Sequence, residues 1–260
     1  MLAIQAAAEA GKRIMDFYTD EIAVTIKTDG SPVTLADIAS SEVILNYLSQ
    51  SNIPVTGEET TKENYNIRKQ WSRSWCVDPL DGTKEFIKRN DQFAINIALI
   101  ENHKPIFGLI ASPVDEFMVF GGIDVGVFKT SFEHWNEVNQ WERIVAAEKL
   151  NNPLIISCSN SAHSGTVLKY INELKKDLPA VDFLKKGSAL KFIDLALGKA
   201  DIYPRFAPTM EWDIAAGQAI IEALGGSVVH AYSNEPLEYN KENLLNPYFI
   251  AKTATFLKSE

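Results

Sequence analysis

Two carboxylates stand three positions apart in the stretch Asp78-Pro79-Leu80-Asp81-Gly82-Thr83. The mostly apolar run before them, Ser74 to Val77, suits a short buried strand. Pro79 has no backbone donor, so that strand is expected to stop at Asp78. Gly82 permits a tight turn that a Cβ would resist, and Thr83 can open a short helix. The acids attract a hard cation, whereas the free N–H groups of a helix start attract an oxyanion. A metal-bridged phosphate would satisfy both. Asp-Pro and Asp-Gly pairs are also common turn chemistry, and most such stretches are only loops. An EF-hand does not fit, because the acids do not alternate and Pro79 lies between them.

Four acids fall at the ends of expected elements rather than along solvent faces: Glu58, Asp78, Asp81 and Asp213. Glu58 follows a short strand and Gly57, and reads otherwise as a loop charge. Asp213 begins an apolar helix, and reads otherwise as an ordinary N-cap. No cluster of His and Cys accompanies them, which disfavours zinc. An all-oxygen set favours Mg²⁺ or Mn²⁺, and such a site can activate a water and neutralise charge as a phosphoryl group leaves.

Holding these acids together takes many elements. The 260 residues, 46% of them hydrophobic, allow one large domain or two modest ones. Helical spacing runs over residues 2 to 18, through Leu2, Ala6, Ala10, Ile14, Phe17 and Tyr18. Glu21 to Lys27 alternates as a strand, and a turn follows at Asp29-Gly30-Ser31-Pro32. A second helix spans Thr34 to about Leu48, with Ile38, Val43, Ile44, Leu45 and Leu48 toward the core and a capping pair in Thr34 and Asp37. Ile53 to Thr56 is a short strand. Phe93 to Ile100 and Ile106 to Ala111 form a hairpin, extended by strands over Glu116 to Phe120 and Val125 to Lys129. Residues 131 to 150, with Trp135 and Trp141, give no clear pattern. Beyond them strands (Leu154 to Cys158, Ala180 to Leu184, Ala200 to Tyr203, Ser227 to His230) alternate with helices (Ser164 to Lys175, Ser188 to Leu197, Asp213 to Leu224). That alternation argues for an α/β half over 151–260 after an α+β half over 1–150.

Composition limits the function classes. The net charge of −9 argues against a broad nucleic-acid or membrane surface, and basic pairs such as Lys175-Lys176 and Lys185-Lys186 read as solvated faces. No apolar run approaches the ~20 residues that cross a bilayer, and Glu9, Lys12 and Arg13 interrupt the N-terminus, which lacks the form of a signal peptide. Cys76 and Cys158 lie far apart without metal spacing, so the expectation is a reduced cytoplasmic protein with both thiols buried. Peripheral attachment to the inner membrane stays open, as does the oligomeric state.

Gly57-Glu58-Glu59, Asp78 to Thr83, and Trp212-Asp213-Ile214-Ala215-Ala216-Gly217 together resemble the three signatures of the lithium-sensitive inositol monophosphatase superfamily, in order and spacing along nearly the whole chain. The resemblance implies a layered αβαβα sandwich with the metals between its halves. Asp81 to Ile87, Gly187 to Phe192 and Tyr203-Pro204-Arg205-Phe206 further resemble the bacterial 3'(2'),5'-bisphosphate nucleotidases of the CysQ type. The Thr-Asn-Phe usual in inositol monophosphatases is missing. The implied reaction removes the 3'-phosphate of adenosine 3',5'-bisphosphate by metal-activated water attack, giving AMP and phosphate and recycling a by-product of sulfate activation. On that resemblance Glu58, Asp78, Asp81, Asp213 and the Leu80 carbonyl bind Mg²⁺. Thr83, held by Asp37 and helped by Glu58, orients and deprotonates the water. Gly82 and Thr83 offer N–H groups to the phosphate, while Ser188, Lys191 and Arg205 contact the nucleotide. Cys158 and Asn160 depart from the Ser-Arg-Ser-His frequent in such nucleotidases; His163 is a candidate substitute, and Lys27 a candidate site lysine. The rivals are an inositol monophosphatase or sugar bisphosphatase on the same fold, and a non-catalytic nucleotide or metal sensor.

Overall fold

Small residues let the first helix, α1 (Leu2–Asp16), lie close to its neighbours: Ala3, Ala6, Ala7, Ala8, Ala10 and Gly11 are buried beside Ile4 and Ile14. A Cβ on Gly11 would stand 2.3 Å from the Phe132 ring. The computed structural model describes residues 1–19, 22–28, 30–159, 165–174 and 180–259. After α1, β1 (Val24–Ile26) and β2 (Pro32–Thr34) make a small antiparallel pair. Helix α2 (Leu35–Leu48) follows, capped by Thr34.

The next strands form a seven-stranded sheet in chain order: β3 (Val55–Gly57), β4 (Arg73–Asp81), β5 (Ala94–Glu101), β6 (Lys104–Ser112), β7 (Phe117–Gly122), β8 (Gly126–Ser131) and β9 (Glu142–Ile144). Short helices α3 (Tyr65–Arg68) and α4 (Thr83–Ile87) flank β4. All pairings in this sheet are antiparallel except β3 with β4. The rest of the chain supplies β10 (Leu154–Cys158), α5 (Gly165–Leu174), β11 (Val181–Lys185), α6 (Leu190–Ala196), β12 (Ile202–Arg205), α7 (Glu211–Ala223), β13 (Ser227–His230), β14 (Phe249–Lys252) and α8 (Ala254–Leu257). Its five strands run in the order β11-β10-β12-β14-β13, parallel among the first three and antiparallel at β14.

Three apolar cores define the layers. Ala7, Ile14, Ile44 and Leu48 of α1 and α2 cover one face of the seven-stranded sheet at Val77, Ile97 and Leu109. Val167 and Ile171 of α5, with Phe256 of α8, cover the outer face of the five-stranded sheet at Ile156, Ile202 and Ile250. Between the sheets, Phe192 and Ile193 of α6 and Ile214, Ala216 and Ile220 of α7 pack against Ile110 and Val119 on one side and Val228 and Ala251 on the other. The result is the αβαβα sandwich. Each fully buried Ile or Phe contributes roughly 1.5–3 kcal/mol, and the middle layer joins both sheets in a single core.

Several expectations need correction. Strand β4 does not stop at Asp78 but continues through Pro79 to Asp81, with a register shift against β5 between Asp78 and Asp81. A bulge of this kind is where a proline is tolerated, because the ladder bond it lacks is already broken. On the other side β3 ends opposite Val77. Ile38 of α2 is 45% exposed, and Leu45 only half-buried, because the buried stripe of that helix opens with Ala36, Asp37, Ser40 and Ser41. The need for polar groups at the site overrides apolar periodicity there. Asp213 is the third residue of α7, not its start or cap; Met210 occupies the cap. Helix α3, β9, β14 and α8 were not anticipated. Both thiols are buried as expected. Among the described residues no helix is long and apolar enough to cross a membrane. Lys185 is exposed and Lys186 half-buried, whereas Glu21, Asp29, Asn160, His163, Ser164, Lys175 and Lys176 lie outside the described residues.

Candidate metal centre and adjoining cleft

Close backbone approach places the first acid. Gly57 pairs with Val77 in the parallel β3–β4 ladder, and a Cβ on it would stand 2.4 Å from the Val77 carbonyl oxygen. The Glu58 N–H continues the ladder to that same oxygen at 3.1 Å, which sets Glu58 beside Asp78. Asp78 is held by its own turn, its Oδ1 accepting the Leu80 N–H at 3.0 Å. Asp213 is fixed at the start of α7, where its Oδ2 accepts the Met210 N–H at 2.8 Å. Carboxylate oxygens of Glu58, Asp78 and Asp213 all come within 4.8 Å of one another.

Such proximity is costly unless a cation shares it. Two unit charges at that separation repel by about 3 kcal/mol at an effective dielectric near 20. Burial, followed by the repulsion of Glu58, Asp81 and Asp213, holds the Asp78 carboxyl well above the usual range. Asp213 is pushed up to about 8 by burial and then by Asp81. Burial also raises Glu58, against the opposing pull of Lys27. Lys27 Nζ sits 2.9 Å from Glu58 Oε1 and also bonds Glu59. One buried and two half-buried, all-oxygen and crowded together, the donors fit a hard divalent cation such as Mg²⁺ or Mn²⁺.

Asp81 stands apart from the tight trio. Its Oδ2 accepts Ser188 Oγ at 2.7 Å, the Ala189 N–H at 2.5 Å and Asn96 Nδ2 at 3.4 Å, tying the end of β4 to the loop before α6. The Leu80 carbonyl accepts Thr83 Oγ1 at 3.3 Å. That hydroxyl has its shorter bond, 2.8 Å, to Asp37 Oδ1. The other oxygen of Asp37 accepts the Thr34 N–H at 2.7 Å and the Thr34 hydroxyl at 2.6 Å. Burial raises the Asp37 carboxyl while these bonds oppose the rise. Ser40 Oγ donates to the Pro79 carbonyl at 2.7 Å and pins the bulge. Gly82 carries φ +97°, the left-handed turn that its lack of a Cβ allows.

Beside the acids opens a cleft of about 630 Å³ that Asp81, Gly82, Ser188, Lys191, Arg205 and Asp213 help to line. Lys191 is 3% exposed, donates to the Ser188 carbonyl at 2.5 Å and the Lys186 carbonyl at 3.2 Å, and lies over the Tyr203 ring at 5.2 Å. Burial draws its ammonium down to about 8. Arg205 Nε and Thr209 Oγ1 are buried and have no protein partner among the described residues. The structure thus brings Glu58, Asp78 and Asp213 together, sets Asp81 and the Asp37–Thr83 pair at their margins, and puts Ser188, Lys191 and Arg205 on the cleft wall. Cys158 is buried, whereas its neighbour Ser159 helps to line the cleft. Sequence reasoning missed Ser40, Asn96 and Thr209; single polar residues inside apolar elements were the available signal, and nothing in the order of residues told which way they point.

Comparison with known proteins agrees with the architecture. The profile of the inositol monophosphatase family matches residues 1–257. The 3'(2'),5'-bisphosphate nucleotidase CysQ of Shigella flexneri is 39% identical over 250 residues, which cover 94% of this chain and 96% of the relative. Its counterpart from Haemophilus influenzae is 32% identical over 247 residues, covering 94% and 88%. Among solved structures, CysQ from Bacteroides thetaiotaomicron, a bacterial member of the inositol monophosphatase family, has a TM-score of 0.86 at 41% identity, covering 98% of this chain and 96% of that one. SaIMPase-II with bound inositol monophosphate has a TM-score of 0.74 at 20% identity, covering 99% and 90%, a likeness of fold alone. With its layered sandwich, its converging carboxylates and a family match over nearly its full length, this chain belongs to the inositol monophosphatase family.

Proposed function

We propose that the chain is a Mg²⁺-dependent phosphatase that removes the 3'-phosphate of adenosine 3',5'-bisphosphate, giving AMP and phosphate. One juxtaposition supports this most: Asp213 of the Glu58–Asp78–Asp213 cluster lines a cleft that Lys191 and Arg205 also line. A phosphomonoester alone needs the first; a second anionic group on the substrate gives the other a purpose. The nucleotidases similar to this chain over 94% of its length act as their name states, and favour the same reading.

Glu58, Asp78, Asp81, Asp213 and the Leu80 carbonyl would hold the cation. When bound, Mg²⁺ would supply Lewis acidity, neutralising the phosphoryl oxygens and acidifying a water. Thr83 donates its hydroxyl hydrogen bond to Asp37, which leaves the Oγ1 lone pairs to accept a bond from the attacking water and orient it. Glu58 assists in taking the proton. The water oxygen bonds to phosphorus as the P–O3' bond breaks, and the proton taken from the water is returned through solvent to the departing ribose oxygen, which leaves as a hydroxyl. Gly82 and Thr83 would donate N–H groups to the phosphate. Ser188, Lys191 and Arg205 would receive the nucleotide, Arg205 through a fork suited to a second phosphate. On this reading residues 1–150 carry most of the metal ligands, residues 151–260 add Asp213 and the nucleotide contacts, and the reaction belongs to cytoplasmic sulfur metabolism with lithium as an inhibitor.

Phosphate release from adenosine 3',5'-bisphosphate, with Mg²⁺ and with EDTA, tests the reading. Expected is Mg²⁺-dependent release of one phosphate, leaving 5'-AMP. Preferred turnover of inositol 1-phosphate or fructose 1,6-bisphosphate would move the function to the rival phosphatases; tight nucleotide binding without release would move it to a sensor.

A further inference from the structure

Away from the acid cluster, three buried polar residues far apart in sequence join into one network. Arg68 at the end of α3 is 3% exposed, Glu211 at the start of α7 is 2% exposed, and Asn240 lies in the irregular segment before β14. Arg68 Nη1 donates to Asn240 Oδ1 at 2.8 Å, Nη2 to the Lys241 carbonyl at 3.1 Å, and Nε to the Glu63 carbonyl at 3.1 Å. Asn240 returns a bond from Nδ2 to the Arg68 carbonyl at 2.7 Å. Its own N–H donates to Glu211 Oε2 at 2.6 Å, and the N–H and Nζ of Lys241 donate to Oε1 at 3.0 and 2.6 Å. A second strap crosses nearby. Exposed Lys62 donates from Nζ to the Glu58 carbonyl at 2.6 Å and lies 5.0 Å from the centre of the Trp212 ring.

Both straps start on the segment that follows Glu58 and finish one or two residues before Asp213. Carboxylate oxygens of those two acids lie within 4.8 Å of each other, so like charges there repel. They also come from opposite ends of the chain, so no local turn sets their spacing. Burying Arg68 and Glu211 costs several kcal/mol of desolvation per charge, and apolar residues would stabilise the same junction equally well. We propose that Glu211, Asn240, Arg68 and Lys62 form a clasp that fixes the separation of Glu58 and Asp213 and so sets divalent-cation affinity, with Glu211 and Lys62 as positioning residues. The inference rests on the reading of Glu58 and Asp213 as metal ligands.

Glu211→Gln is the direct test, because the new amide NH₂ must face a backbone N–H whichever way it turns. Lys62→Gln is the second, at an exposed position where folding is not at stake. Titration calorimetry of Mn²⁺ into the EDTA-stripped full-length chain reads affinity without turnover, and melting in EDTA reads stability separately. Expected are weakening by about tenfold or more in Glu211→Gln, in the range of lost outer-shell supports, and by about threefold in Lys62→Gln. Turnover at saturating Mg²⁺ should stay within about twofold of wild type for Lys62→Gln. Wild-type affinity in both variants, even with a lower melting temperature in Glu211→Gln, would overturn the clasp. If Glu211→Gln does not fold, unchanged affinity in Lys62→Gln overturns it alone. Asp213→Asn should abolish binding; a wild-type chain that binds no Mn²⁺ would instead remove the metal-centre reading beneath it.

Discussion

The acidic floor of the cleft and its basic wall meet the same difficulty from opposite sides. On the floor, burial and mutual repulsion push Asp78, Asp213 and Glu58 toward their neutral, protonated forms. On the wall, burial pushes Lys191 toward its neutral, unprotonated form. Each region carries its charge at lower cost when an opposite charge arrives: a cation for the floor, an anion for the wall. A metal-bridged phosphorylated substrate brings both, so the two regions favour the same ligand for complementary reasons.

Asp81 joins the regions, because it faces the acids and holds Ser188 and Ala189. Asp81→Ala should therefore damage both at once and lower turnover by about 10²–10³-fold, the order expected when one electrostatic support of the reacting group is lost. A phosphate-release assay across a wide Mg²⁺ range measures this, and activity near wild type at ordinary Mg²⁺ would separate Asp81 from the floor. Lys191→Met should touch the wall alone. It keeps the volume but frees the Ser188 and Lys186 carbonyls, and we expect KM to rise by about tenfold with kcat within a few-fold. Ser188→Ala loses one bond of the link while the Ala189 N–H keeps Asp81 in place, so its loss should be only about three- to fivefold.

The smallest effect is on stability, and there the regions act with opposite sign. The folded pKa of Asp213, about 8, lies above the ordinary 3.8, so its contribution is complete below about 3.8 and is lost as pH rises through 8. The folded pKa of Lys191, also about 8, lies below the ordinary 10.5, so the folded chain gives up that proton first and stability is regained between about 8 and 10.5. Scanning calorimetry of the EDTA-stripped chain should show melting temperature falling toward pH 8 and recovering above it. Asp213→Asn should flatten the falling limb, Lys191→Met the rising one, and added Mg²⁺ should lift the acid limb.

The same contrast explains what the sequence made legible. Two floor acids, and Asp37 beside them, have a bond to a residue within three positions: Asp78 to Leu80, Asp213 to Met210 and Asp37 to Thr34, whereas the Glu58 carboxylate reaches Lys27, 31 positions away. Short-range chemistry of that kind leaves a motif, and the three motifs in order carried the family and the layered fold. The wall is assembled by long-range bonds, Ser188 to Asp81 and the Gly187 N–H to Gln92 Oε1 at 2.7 Å, which leave no spacing to read. The clasp of Arg68, Asn240 and Glu211 was invisible for that reason, since a buried arginine in a charged stretch looks like a solvated one. Pro79 misled for another: the rule that it ends a strand is sound for a paired ladder, and β4 has just lost its pairing there.

Helix α7 has almost no side turned to water. It lies against β5, β6 and β7 on one side and meets α6, β13 and β14 on others. A Cβ on Gly108 would stand 2.1 Å from the Ala216 carbonyl oxygen, and one on Gly217 would stand 2.2 Å from the Phe192 ring. A helix enclosed in this way has nowhere to absorb a changed side chain alone; any enlargement must be matched by a reduction in another layer. Its sequence should therefore drift by compensated pairs, with saturation libraries tolerating far fewer single changes along α7 than on the outward faces of α1. The helix that carries Asp213 is thus held to its composition by its neighbours, independently of any demand from chemistry.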